Sequence, residues 1–121
     1  MAQAERDLDH ASVSLQAGHF EWACFAAHQA AEKGLKAVYQ KLAGEARGHS
    51  LRGLLAGLSA RLTVPRALEG KAKELDKNYI PTRYPDALQE GAPLDLYTRR
   101  EAERAIRNAK SIIEFCKSHL A

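Results

Sequence analysis

The sequence predicts an all-α protein, an antiparallel up-and-down bundle of four main helices and one shorter helix. Apolar residues recur at the 3.6-residue helical period through most of the chain, and no stretch alternates apolar and polar residues as a half-buried strand would. Glycines, prolines and capping residues separate the periodic stretches. The length of 121 residues suits one domain with one core, so residues 1–121 are treated as a single domain.

The first two predicted helices carry continuous apolar faces. The first runs from Ala2 to Gln16 and ends at Gly18, and the second runs from Phe20 to about Leu42. The inward positions of the second helix are Phe20, Ala23, Cys24, Ala27, Ala30, Ala31, Leu35, Val38 and Leu42. A glycine inside a helix costs about 1 kcal/mol relative to alanine, so Gly34 suggests that another backbone approaches closely, with a simply tolerated glycine as the alternative.

Capping residues mark the later helices. Ser50 is a good N-cap for a third helix that runs to Leu62, and a fourth runs from Arg66 to about Lys77. The last helix opens with the capping-box pattern Thr98-Arg-Arg-Glu101. Its inward positions are Ala102, Ala105, Ile106, Ala109, Ile112, Ile113, Cys116 and Leu120.

A segment with two prolines follows the fourth predicted helix. It runs from Asp76 to Leu88 and contains Pro81 and Pro85, which push the residues before them toward extended geometry. The pattern predicts that Thr82, Arg83, Tyr84 and Asp86 lie on a stiff, non-helical connection. A long connection that carries charged and aromatic residues is more often functional than a plain link.

Composition excludes few functions. The net charge of +3 permits an anionic partner without requiring one. Cys24 and Cys116 fall on apolar faces, which is typical of buried free thiols, and a disulfide between them stays open. Two cysteines and a charged N-terminus without a signal peptide predict a cytoplasmic protein, and no apolar run is long enough for a membrane span.

The second helix has a regular polar face. His28, Glu32 and Lys36 follow one another at four-residue intervals, with Gln29 and Lys33 beside them. A solvated face with one ion pair is the simpler interpretation. However, these residues interrupt a helix that is otherwise alanine-rich and buried, so we expect the face to meet the proline segment or a ligand.

Three stretches together resemble the HEPN family. They are His28-Gln-Ala-Ala-Glu-Lys-Gly-Leu-Lys-Ala37, Gly48-His-Ser-Leu51 and Tyr79-Ile-Pro-Thr-Arg-Tyr-Pro-Asp-Ala87, of which the last is the most specific. The resemblance implies a small helical bundle, usually a homodimer, and often the partner of a minimal nucleotidyltransferase. Similar domains are thought to bind nucleotides.

The ribonucleolytic branch of that family carries an arginine followed, after four to six residues, by a histidine. That chemistry needs a proton-transfer group and a fixed cation for the phosphate. None of the five histidines has an arginine at that distance upstream, and Arg83 has no histidine after it at that spacing. The resemblance therefore implies a protein that binds or partners and is not an enzyme.

Two further classes of site are disfavoured. A carboxylate-bridged metal bundle needs Glu-x-x-His on two helices, and this pattern is absent, so no metal or cofactor is predicted. Arg100, Arg104 and Arg107 line one side of the last helix as a nucleic-acid face would. Glu101 and Glu103 interleave with them, so a solvated, salt-bridged face is the expectation.

We predict a pocket between the polar face of the second helix and the proline segment. Lys33, Lys36 and Arg83 would neutralise phosphate, and Tyr79 or Tyr84 would stack on a base. Glu32 and Asp86 would orient the cations, and His28 would donate or accept a hydrogen bond. His49 would be a polar wall of the pocket. Purely structural roles are the alternatives for two of these residues: helix capping for His49, and pairing with Asp86 or Glu32 for Arg83. The full predicted set is His28, Glu32, Lys33, Lys36, His49, Tyr79, Arg83, Tyr84 and Asp86.

The predicted function is that of a nucleotide-binding accessory subunit of a minimal nucleotidyltransferase. The protein would form a homodimer through apolar residues of the second helix or its neighbours, as the aromatic pair Trp22 and Phe25 suggests. A ribonuclease-type toxin and a dimeric interaction module without a ligand are the alternatives.

Overall fold

The computed structural model describes the backbone of residues 1–83 and 97–121 and the side chains of residues 1–79 and 97–121. Within these ranges the chain forms five helices and no strand. They are α1 (Ala2–Gln16), α2 (Phe20–Lys41), α3 (Leu51–Leu58), α4 (Arg66–Arg83) and α5 (Arg99–Ser118). The predicted antiparallel helical bundle is confirmed, with α3 as the shorter helix.

The largest difference from the predicted elements is the length of α4. It continues six residues beyond Lys77 to Arg83, so the expected interruption at Ile80 and Pro81 is wrong. Thr82 and Arg83, which were expected on a non-helical connection, also have helical backbone. Pro81 has no backbone N–H, so the helix lacks one hydrogen bond, the one to the carbonyl one turn earlier. The other backbone hydrogen bonds of the helix do not depend on that donor. Buried Leu75 and Tyr79 hold this part of α4 against the bundle, which offsets that local cost. Tyr84 and Asp86 lie outside the described residues.

Two capping predictions are confirmed. The Ser50 side chain accepts a hydrogen bond from the backbone N–H of Gly53 at 3.1 Å. Thr98 accepts one from the N–H of Glu101 at 3.1 Å and donates to the Glu101 carboxylate at 3.2 Å. α3 ends at Leu58, four residues earlier than predicted, and a turn follows in which the Leu58 carbonyl accepts from Arg61 and Leu62.

α2 lies at the centre of the bundle and packs against each of the other four helices. Its small residues allow close packing, and the core around it is supplied mainly by leucines of α3 and isoleucines of α5. Both cysteines are buried and free, and burial raises the pKa of each thiol to about 12. In the described part of the chain no helix is both long and apolar enough to cross a bilayer.

Gly34 lies where α2 meets α5. A Cβ placed there would be 3.4 Å from the Cys116 Sγ and 3.7 Å from Ile113, so the neighbours are side chains at ordinary contact distance. The expected approach of another backbone is therefore wrong, and the close packing at this position comes from side chains of α5.

Candidate functional site

The polar face of α2 meets α4 through a buried histidine. His28 is fully buried, and its Nε2 donates a hydrogen bond to Asp76 Oδ1 at 2.9 Å. The ring of Tyr79 stacks on the imidazole, with centroids 3.8 Å apart and planes inclined by 7°. The aromatic stack and the hydrogen bond together fix the orientation of the imidazole.

Asp76 also binds the N-terminus of α3. Its carboxylate accepts from the backbone N–H of Leu51 at 2.9 Å, from that of Arg52 at 3.1 Å and from the Ser50 hydroxyl at 3.1 Å. Burial by itself raises the pKa of Asp76, but the hydrogen bonds from His28 and from the two backbone amides outweigh it and lower the pKa below 3.8. Asp76 is thus an ionised cap that joins three helices.

Glu32 is the second buried carboxylate of the cluster. It lies one helical turn after His28, is 6% exposed, and has Oε1 4.0 Å from His28 Nδ1. Lys36 Nζ donates to it at 3.2 Å, and His49 Nδ1 lies 3.1 and 3.2 Å from its two oxygens. Glu32 therefore holds two half-exposed basic side chains, one from α2 and one from the loop before α3.

Aromatic rings continue from the cluster to the surface. Phe25 stacks on Tyr79 with centroids 5.5 Å apart, and Trp22 meets Phe25 edge to face at 5.9 Å. Tyr79 is only 8% exposed, whereas Trp22 is 56% exposed. A base could stack on Tyr79 only if the surrounding rings moved, but Trp22 is accessible as the ring array stands.

The structure brings together five of the predicted site residues: His28, Glu32, Lys36, His49 and Tyr79. Lys33 points elsewhere, since its Nζ forms an ion pair with Asp7 of α1 at 2.6 Å. The side chain of Arg83, together with Tyr84 and Asp86, lies outside the described residues.

Asp76 belongs to this cluster but is absent from the predicted site. The sequence analysis places it only at the edge of the proline segment, whereas in the structure it contacts His28, Ser50 and the start of α3. A signal was present: Asp76 follows Ala72 by four residues and precedes Tyr79 by three, and both of these residues are buried. An acidic residue on the buried side of a helix requires partners.

Comparison with known proteins gives consistent matches over nearly the whole chain. The profile of the HEPN domain matches residues 1–119. The structure of TT1696 from Thermus thermophilus is 47% identical with a TM-score of 0.91, covering 98% of this chain and 93% of that one. An HEPN domain protein from Thermotoga maritima is 43% identical with a TM-score of 0.82, covering 99% and 95%.

A curated protein of Methanocaldococcus jannaschii is also similar. It bears the name "Putative toxin MJ1304" and is 26% identical over 127 residues, which cover 98% of this chain and 84% of that protein.

Proposed function

This chain belongs to the HEPN domain family, and we propose that it is a non-catalytic member that binds a nucleotide or a nucleotide-bearing partner. Its partner would be a minimal nucleotidyltransferase, for which the chain serves as accessory subunit. The proposal draws on the family membership, on the missing arginine–histidine ribonuclease motif and on the cluster built around Glu32.

The observation that carries the proposal is the pair of basic groups that Glu32 holds at the edge of the cluster. The side chains of Lys36 and His49 are 35% and 47% exposed, whereas that of Glu32 is 7% exposed. A lysine ammonium has three donors, and one of them is used by Glu32. The others, with the second ring nitrogen of His49, are suited to phosphate oxygens. The buried carboxylate reduces the entropy lost when the anion binds, because it holds both side chains in place.

Other residues have supporting roles in this proposal. Asp76 orients His28 and the start of α3 from the protein interior, and Arg83 of the proline motif adds a further phosphate ligand. Arginine suits this role because its planar guanidinium donates two parallel hydrogen bonds to phosphate. Replacement of Arg83 by alanine should weaken nucleotide binding, and lysine should restore it only in part.

Calorimetric titration of the purified protein with ATP and AMP tests the site. We expect binding that falls about tenfold in Lys36→Gln and in His49→Gln, the size of one lost hydrogen bond to a charged group. Lys73→Gln is the matched control, because Lys73 is exposed and forms no ion pair in the described part of the chain. Absence of binding at millimolar nucleotide, or equal weakening in the control, would refute the nucleotide site.

The homodimer is part of the same proposal. Trp22 is largely exposed at the start of α2 and Phe25 beside it is half-buried, which is typical of an aromatic contact surface. Light scattering should give twice the chain mass of 13.3 kDa. Trp22→Glu should give the monomer, and a wild-type monomer at high micromolar concentration would refute the dimer.

The name of the Methanocaldococcus jannaschii relative supports a second candidate, a ribonuclease-type toxin. This candidate predicts that expression arrests growth and that the pure protein cleaves RNA. The first candidate predicts intact RNA after incubation, because no histidine stands at the ribonuclease spacing from an arginine. Cleavage that disappears in Arg83→Ala or His49→Ala would favour the toxin.

A further inference from the structure

His49 has two ring nitrogens in different surroundings. Nδ1 lies 3.2 and 3.1 Å from the two oxygens of the buried Glu32 carboxylate. The His49 side chain itself is half-exposed, so the ring extends from this carboxylate to the protein surface. Because the two nitrogens of an imidazole point in different directions, Nε2 is the one available to a bound anion.

Glu32 determines which of these nitrogens carries the proton of a neutral ring. Lys36 Nζ lies 3.2 Å from Glu32 Oε2 and His28 Nδ1 lies 4.0 Å from Oε1, so together with His49 three basic side chains surround this carboxylate. A carboxylate in such surroundings is ionised and can only accept hydrogen bonds. Nδ1 of His49 is therefore the donor, and in the neutral ring Nε2 has a lone pair and no proton.

A neutral His49 is thus unsuited to a fully ionised phosphate. The oxygens of such an anion are acceptors, and they do not bind the lone pair of Nε2. In the protonated ring both nitrogens are donors, so Nδ1 keeps its bond to Glu32 while Nε2 donates to the anion. Hydrogen bonds between an imidazolium and an anion are shorter and stronger than those between neutral groups.

We propose that anion binding at this site is coupled to protonation of His49, which takes up one proton from solvent when an ionised phosphate binds to the neutral form. The inference rests on the phosphate site of the proposed function and adds pH as its regulator. Affinity is highest where His49 is protonated and falls as the pH rises. Glu32 is a positioning residue here, because it fixes the tautomer of His49 and stabilises the imidazolium.

The other groups of the cluster keep their charge near neutral pH. Asp76 is ionised there, since its pKa lies below 3.8. Histidine is the side chain that ordinarily changes charge between about pH 5 and pH 8. Among the described residues, the charged and titratable groups linked to His49 by contacts or by sequence are Glu32, Lys36 and His28 of α2, Asp76 and Tyr79 of α4, Arg52 of α3, and Arg47 with its partner Glu45. In this set His28 is the other histidine, and it is fully buried, where an anion cannot reach it.

Sulfate is a suitable probe, because it keeps both charges across the neutral range and brings no proton of its own. Titrations followed by NMR at constant ionic strength should give an affinity that falls about tenfold from about pH 6 to about pH 8, the size of one hydrogen bond to a charged group. His49→Gln keeps a side-chain donor but cannot titrate, so its affinity should be nearly constant and close to that of the wild type at the higher pH. Proton–nitrogen correlation spectra of the nitrogen-labelled wild type should show that saturating sulfate adds a proton to Nε2 of His49.

His10→Gln is the matched control, because His10 is exposed on α1 and lies outside the cluster, and it should keep the pH dependence of the wild type. Circular dichroism should show the same helix content in both variants. A sulfate affinity that does not change with pH, or no sulfate binding to a protein that binds ATP, would overturn the coupling and leave the nucleotide site in place. Binding of neither sulfate nor ATP at any pH would refute both. A pH dependence that persists in His49→Gln, or disappears in His10→Gln, would assign the proton to another group and overturn the inference.

Discussion

The two faces of α2 are buried by different kinds of contact. Toward α1 and α5 the helix presents alanines and Gly34, which pack against side chains such as Ile113 and Cys116. Toward α3 and α4 it presents His28 and Glu32, which are as deeply buried but require hydrogen bonds and ion pairs. Apolar contacts are non-directional and each atom contributes separately. On the polar face the partners depend on one another. When one partner is removed, the other stays buried without a hydrogen bond, and this lowers stability by more than the bond itself contributed.

The largest effect is expected from the apolar contacts of α2. Leu35→Ala removes a fully buried side chain from the core and should lower the free energy of unfolding by about 2–5 kcal/mol through lost transfer energy and a cavity. Guanidinium chloride unfolding of the variant measures this. A loss below about 1 kcal/mol would mean that the core around α2 collapses into the space, and that these apolar contacts are less tightly packed than the structure indicates.

The next effect probes the interdependence on the polar face. Asp76→Ala removes the partner of His28 and of the two amides at the start of α3, and it should cost about 2–3 kcal/mol. Ser50→Ala, the matched variant, removes the side-chain cap and one hydrogen bond to Asp76 but keeps the bonds from His28 and the two amides, and it should cost about 1 kcal/mol. Equal costs in denaturant unfolding would contradict the interpretation of Asp76 as the residue that joins α2, α3 and α4.

The pH dependence of stability distinguishes the two faces without removing a side chain. The folded pKa of Asp76 lies below its ordinary value of 3.8, so the unfolded chain binds this proton first as the pH falls. The stabilisation by Asp76 is complete above the unfolded pKa and is lost as the pH falls from there through the folded pKa. Asp76→Asn should therefore differ most from wild type above about pH 4 and progressively less below it. A constant difference in unfolding free energy down to about pH 2 would contradict this.

The smallest effects come from one substitution made at two glycines. Gly34→Ala places a methyl group in ordinary contact with Cys116 and should stabilise α2 by up to about 1 kcal/mol through helix propensity. Gly57→Ala in α3 overlaps the Tyr39 hydroxyl, which must then leave its 2.7 Å hydrogen bond to the Leu54 carbonyl. That loss of about 1 kcal/mol cancels the propensity gain. Thermal unfolding should place Gly57→Ala clearly below Gly34→Ala, and the reverse order would show that Tyr39 moves without cost.

Much of the fold could be predicted because helix formation depends on local sequence patterns, namely apolar periodicity and capping residues. The start of α2 at Phe20, the caps at Ser50 and Thr98 and the inward face of α5 all agree with the structure. The end of α4 could not be predicted in this way. Pro81 disfavours a helix through its immediate neighbours, and this effect can be seen in the sequence. The burial of Leu75 and Tyr79, which keeps α4 helical, depends on contacts with other helices and cannot be seen there.

The sequence by itself determined that His28, Glu32 and Lys36 share one face of α2, since positions four residues apart lie on the same side of any α-helix. Only the tertiary structure decided which residues meet that face. Asp76 is 48 positions from His28 along the chain, and their contact depends on how α2 and α4 are placed against each other. The packing of α2 against α1 likewise pairs Lys33 with Asp7, away from the cluster. Helical periodicity is a property of neighbouring residues, whereas the choice of partners is set by the packing of the whole core.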